Sequence, residues 1–105
     1  MKTVLDSRLE DNGTLTFELG VNRLDAASCR DFKKEIETVW SDEIRQVEVN
    51  FDNVEFIDSS GVGALLGVYK RLSSDSAAVR LRKVQAPVQS VIELLRLNRI
   101  FEISN

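Results

Sequence analysis

The sequence predicts an α/β domain: a mixed β-sheet with helices mainly on one face. Three observations point there. Some segments alternate apolar and polar residues, others repeat apolar residues at three- and four-residue steps, and the two kinds take turns along the chain. Strands buried on both faces read as near-continuous apolar runs, whereas three strands here keep one polar face, so one side of the sheet should stay wet. A hairpin at the start is antiparallel and the later strand-helix-strand units are parallel, so the sheet should be mixed.

Leu15, Phe17 and Leu19 alternate with Thr14, Thr16 and Glu18 as a half-buried strand. Asp11-Asn12-Gly13 is the turn before it, and the segment 3–9 is its hairpin partner, since an Asn-Gly pair tolerates positive φ. From Asp25, placed as N-cap, the residues Cys29, Phe32, Ile36, Val39 and Trp40 mark an amphipathic helix. Cys29 lies on its apolar stripe and reads as a packing residue, with a reactive thiol as the alternative. Val47, Val49 and Phe51 form a strand, and Val54, Phe56 and Ile57 lead into Asp58-Ser59-Ser60-Gly61. Val62, Leu65, Leu66, Tyr69 and Leu72 then make one helical stripe. Ser73-Ser74-Asp75-Ser76 is a linker by composition, and Val79 and Leu81 alternate with Arg80 and Arg82 as another strand. Pro87 suits the first turn of a last helix whose expected buried face is Val88, Val91, Ile92 and Leu95, with Asn98 at its end and a short strand over 101–103. The order is β-β-α-β-α-β-α-(β), without internal repeats.

Composition removes several functions. The 105 residues, 43% of them hydrophobic and 30% charged, amount to one domain. With no histidine and one cysteine, Ser-His and Cys-His catalysis, a Cys/His zinc site and an internal disulfide are all excluded. Fourteen basic against seventeen acidic residues leave a net charge of −3, which argues against nucleic acid as a partner. Lys2, Asp6, Arg8, Glu10 and Asp11 interrupt the region a signal peptide would occupy, and the longest uncharged apolar run is about half of the ~20 residues a membrane span needs. The expectation is a cytoplasmic protein with no membrane partner.

The loop that can carry chemistry is Asp58-Ser59-Ser60-Gly61. It sets two hydroxyls and a carboxylate at a helix start, where the first backbone N–H groups lack intrahelical partners. Asp and Ser are favoured caps, so capping alone explains much of it. The helix behind argues for more, because Gly63, Ala64 and Gly67 leave the side opposite the apolar stripe nearly bare. A glycine inside a helix costs roughly 0.8–1 kcal/mol relative to alanine, which is justified where a partner, or the chain's own loops, comes close. The run from Gly61 to Gly67 misses the dinucleotide fingerprint G-x-G-x-x-G by one residue and lacks a second nucleotide-binding half; weak nucleotide binding has no support from spacing.

The stretch VEVNFDNVEFIDSSGVGALLGVYKRL resembles the signature region of STAS domains, and specifically the single-domain anti-sigma factor antagonists of bacteria, in which a strand ends in Asp-Ser-Ser/Thr-Gly at the head of a helix. The resemblance extends over nearly the whole chain. It departs in two turns: the linker after Leu72 lacks a common glycine, and Leu97-Asn98 stands where many relatives have Gly-Leu. The resemblance implies one STAS-like domain over residues 1–105 and a phosphorylation-controlled partner switch with no catalysis by this chain and no cofactor. Ser59 is then the phosphorylated residue, with Ser60 the runner-up, and Asp58, Ser60, Gly61, Gly63, Ala64 and Gly67 form the partner-binding surface. The implied partners are an anti-sigma factor that is itself a serine kinase, bound by the unphosphorylated form to release a sigma factor, and a metal-dependent serine phosphatase. An alternative is a STAS accessory or scaffold subunit that is never phosphorylated and holds a transporter, secretion regulator or signalling complex.

Overall fold

The computed structural model describes residues 5–72 and 79–104. The expected linker at 73–76 lies outside them. Strand β1 (Leu5–Leu9) turns back into β2 (Thr14–Leu19) as an antiparallel pair. Gly13 takes φ +88°, where an added Cβ would sit 2.9 Å from the Glu43 carbonyl oxygen. That positive φ is the one an Asn-Gly turn is suited to. A two-residue strand β3 (Arg23–Leu24) opens into helix α1 (Ala26–Val39). Then come β4 (Gln46–Asn50), a second two-residue strand β5 (Phe56–Ile57), and helix α2 (Ser59–Arg71). Strand β6 (Val79–Arg82), helix α3 (Ala86–Leu94), a single 3-10 turn (Leu97–Arg99) and β7 (Phe101–Ser104) complete the chain.

The five long strands form one sheet in the order β1-β2-β4-β6-β7, antiparallel at the first pair and parallel in the rest. Its inner face supplies Phe17, Val47, Val49, Val79, Leu81 and Phe101, all at 0–1% exposure, while their neighbours along each strand are exposed or half-buried. That alternation, with a shortest dimension of 21 Å, describes one sheet layer under one helix layer. Edge-to-face aromatic pairs join the layers: Phe17 on Phe32 at 5.7 Å fixes α1, and Tyr69 on Phe101 at 6.4 Å fixes α2. Cys29 is buried in the core. Burial, and then the Asp58 charge, push its thiol up to about 11, away from the thiolate that reactivity requires.

The structure corrects three sequence expectations. The strand expected over Val47, Val49 and Phe51 ends at Asn50; the chain turns at 51–54, and of the segment leading to Asp58 only Phe56 and Ile57 form a strand, β5, which pairs with β3 outside the main sheet. Helix α3 ends before Asn98, because Arg96 adopts the left-handed conformation at φ 60° and breaks the ladder there. Leu95 consequently falls on the end of the helix and is 51% exposed, leaving Val88 and Ile92 as the buried pair and Val91 partly covered.

Candidate functional site

The site is assembled where β3 and β5 lie side by side, Arg23 opposite Phe56 and Leu24 opposite Ile57. Glu55 N–H donates to the Asn22 carbonyl at 2.8 Å, and Asp58 N–H donates to the Leu24 carbonyl at 3.3 Å, so the start of α2 is hung from the segment that starts α1. The Arg23 guanidinium lies 4.1 Å from the centroid of the half-exposed Phe56 ring, closing the outer side of this pair.

Asp58 is the N-cap of α2. Its Oδ1 accepts from Ser60 N–H at 2.9 Å and Gly61 N–H at 3.1 Å, and its carbonyl accepts the first helical bond from Val62 at 3.0 Å. With those donors taken by the cap, neither serine hydroxyl is needed to satisfy them. Ser59, the first helical residue, is exposed and its hydroxyl makes no hydrogen bond to the described residues. Ser60 is half-buried. At the far end, Lys70 and Arg71 occupy the last turn, where positive charge suits the helix dipole. Arg71 reaches across to Glu37 at 3.5 Å and lies 5.8 Å from the Trp40 ring, which couples α2 to α1.

The small residues separate into two sets. Gly61 is buried: a Cβ there would stand 2.5 Å from the Leu24 carbonyl oxygen and 2.6 Å from Ile57 Cγ1, so the glycine answers the chain's own backbone. Ala64 is also buried, at 2% exposure, and borders the shallow groove between α2 and α1. Neither is part of an open surface as the sequence led us to expect. Gly63 and Gly67 are exposed and have nothing within 4 Å of a Cβ position, so none of the described residues requires them to be glycine. The buried stripe is accordingly centred on Gly61, Leu65, Val68 and Leu72, with Leu66 and Tyr69 only partly covered. Ser59, Gly63, Leu66 and Lys70 recur at three- and four-residue steps and share the outward face.

Sequence reasoning missed two features of the site. The Arg23–Phe56 stack depends on strands too short to show a period. Ser28 closes a capping box on Asp25, a pattern legible in Asp-x-x-Ser but not singled out. Among the described residues no cluster of three or more His, Cys, Asp or Glu side chains could hold a metal ion, and no helix is long and apolar enough to cross a membrane.

A STAS domain family model matches residues 9–105. The chain belongs to the STAS domain family. A curated relative, the anti-sigma F factor antagonist of Paenibacillus polymyxa, is 27% identical over 67 residues, a match covering 64% of this chain and 57% of the relative's length. Among solved structures, the anti-sigma factor antagonist SpoIIAA in its unphosphorylated form superposes with a TM-score of 0.79 at 22% identity, over 96% of this chain and 88% of that one. The Bacillus protein in its phosphorylated form gives 0.71 at 20%, over 96% and 91%. A sulfate transporter family protein from Wolinella succinogenes gives 0.62 at 18%, over 91% and 82%. The STAS fold of SpoIIAA is therefore the fold of this chain.

Proposed function

We propose that this STAS protein is an anti-sigma factor antagonist acting as a phosphorylation-controlled partner switch. The observation that carries the reading is the exposed Ser59 hydroxyl on the first residue of α2, without a hydrogen bond to the described residues, its helix capped independently by Asp58. The names of the relatives support the general role. In the unphosphorylated state the outward face of α2 binds an anti-sigma factor that is also a serine kinase, and the sigma factor is released. The kinase transfers the γ-phosphoryl group of ATP to Ser59 Oγ, whose proton leaves to a base on the kinase, and the complex comes apart. A metal-dependent serine phosphatase resets the switch in the cytoplasm. The role asks no catalysis of this chain.

The energetics favour loss of binding over loss of fold. Phosphate adds about −1.5 to −2 charge beside a helix N-terminus, which the dipole tolerates. At an interface the same charge, one residue from Asp58, has to be stripped of water or placed against the partner's own acids. Ser59→Asp is therefore expected to melt like the wild type and to bind the kinase at least about tenfold more weakly, a change of about 1.4 kcal/mol. Ser59→Ala binds normally and gains no phosphate. Unchanged affinity of Ser59→Asp rules the switch out. Similarity to a transporter-family domain supports a second reading, a constitutive accessory subunit. Protein taken from cells lacking the phosphatase and carrying no species heavier by about 80 Da favours that reading.

A further inference from the structure

The outer face of the sheet carries an arrangement of charge that the switch does not use. The register places Arg8, Thr16, Glu48, Arg80 and Glu102 side by side in one row across the five strands, and Asp6, Glu18, Asn50, Arg82 and Ser104 in the next. All ten are exposed or half-buried. Asp6, Arg8 and Glu18 leave the β1–β2 half of the face one charge negative, and Arg80, Arg82 and Glu102 leave the β6–β7 half one charge positive. A solvated face needs no such polarity from one edge to the other.

We propose that this face docks a second copy of the same chain, about a two-fold axis running parallel to the strands with Asn50 at its centre. That rotation keeps the strand direction and reverses the strand order, so the negative half of each copy lies over the positive half of the other. Glu18 meets Arg82 of the second copy, Arg8 meets Glu102, and each contact occurs twice, as an isologous interface requires. In the same rows, Asp6 faces Ser104 and Thr16 faces Arg80, neither a like-charge pair. Asn50 faces Asn50, a pair whose amides can both donate and accept. The one like-charge pair, Glu48 on Glu48, brings its own counter-ions: Arg80 and Arg82 each approach Glu48 at 3.8 Å within the chain. The other in-plane axis, across the strands, sets β6 on β6 and brings four arginines together, which like-charge repulsion disfavours.

Lacking an apolar centre, the interface belongs to the small, polar and weak class, and its strength falls as salt screens its pairs. The rotation leaves the helix layers outside and points the C-terminal ends of the parallel strands the same way. Both Ser59 hydroxyls therefore remain exposed at one end of the dimer.

Sedimentation at high protein concentration tests this without reference to phosphorylation. The wild type is expected to run as a dimer at about 0.02 M salt and to shift to monomer at about 0.5 M. Glu18→Arg and Arg82→Glu each stay monomeric while keeping the wild-type circular dichroism, and an equal mixture of the two dimerises again, because both crossed contacts then pair opposite charges. Arg8→Glu with Glu102→Arg repeats the exchange at the outer pair should either inner variant fail to fold. A wild type that is monomeric at every concentration, a charge-reversed variant that still self-associates, or a mixture that stays monomeric overturns the proposal.

Discussion

Helices α1 and α2 begin alike. Each follows a two-residue strand, the two strands pair with each other, and the N-cap aspartates Asp25 and Asp58 have almost the same backbone, φ −118°, ψ −171° and φ −117°, ψ −171°. Residue by residue, Ala26-Ala27-Ser28 in α1 stands where α2 has Ser59-Ser60-Gly61. In α1 the hydroxyl is on the third residue and is spent inside: Ser28 Oγ accepts from Asp25 N–H at 3.0 Å and donates to the Arg23 carbonyl at 2.8 Å. In α2 the third residue is glycine, and the hydroxyls have moved to the two positions before it, where Ser59 faces outward. The difference teaches that one helix entry is closed on itself and the other leaves a hydroxyl facing outward, on caps of the same backbone conformation.

The largest test of that comparison is Gly61→Ala. Its Cβ has to displace the Leu24 carbonyl, and overpacking of this kind is expected to cost about 3 kcal/mol in urea unfolding. A cost near zero breaks the account of why the third residue differs. Next comes Ser28→Ala, expected to lose about 1–2 kcal/mol by leaving the Asp25 N–H and Arg23 carbonyl without their partner, against no measurable loss for Ser59→Ala. Equal losses would erase the distinction between closed and open entries.

Asp58→Ala, which frees two backbone N–H groups, should cost about 1 kcal/mol. At α1, hydrogen bonding by the Ser28 backbone N–H holds the Asp25 carboxyl below its ordinary value despite the opposing effect of desolvation. With the folded-state value below the unfolded one, its stabilisation is present at neutral pH and is lost as pH falls through the acidic carboxylate range. Asp25→Asn should flatten that part of the stability–pH curve in thermal melts. The smallest effects are expected at Gly63 and Gly67, where alanine meets open space and should stabilise by about 0.5–1 kcal/mol each. Reduced partner binding by those same variants, with higher melting temperatures, would separate a contact surface from an idle one.

Much of the fold is legible in the sequence because its signals are long. Leu15, Phe17 and Leu19, or Cys29, Phe32 and Ile36, repeat often enough for one period to exclude the other. Strands β3 and β5 are two residues each, shorter than any period, and their pairing is a tertiary fact. Around α2, Ala64 and Val68 weigh little beside Leu66 and Tyr69 in an apolar pattern, which displaces the expected stripe toward the larger side chains. Gly61 and Gly63 look alike in a string of letters. Only the position of the Leu24 carbonyl tells the buried one from the exposed one. The end of α3 is illegible for a similar reason, since Arg96 takes a conformation for which asparagine or glycine is the commoner choice.

The Leu24 carbonyl oxygen both receives the Asp58 N–H and sets the limit on Gly61, though it lies more than thirty positions earlier in the chain. The serine-bearing junction is thus not a portable cassette. A synthetic peptide spanning only β5 and α2 lacks one wall of its own seat. Anyone transplanting this junction into another scaffold has to carry the Arg23–Asp25 segment with it.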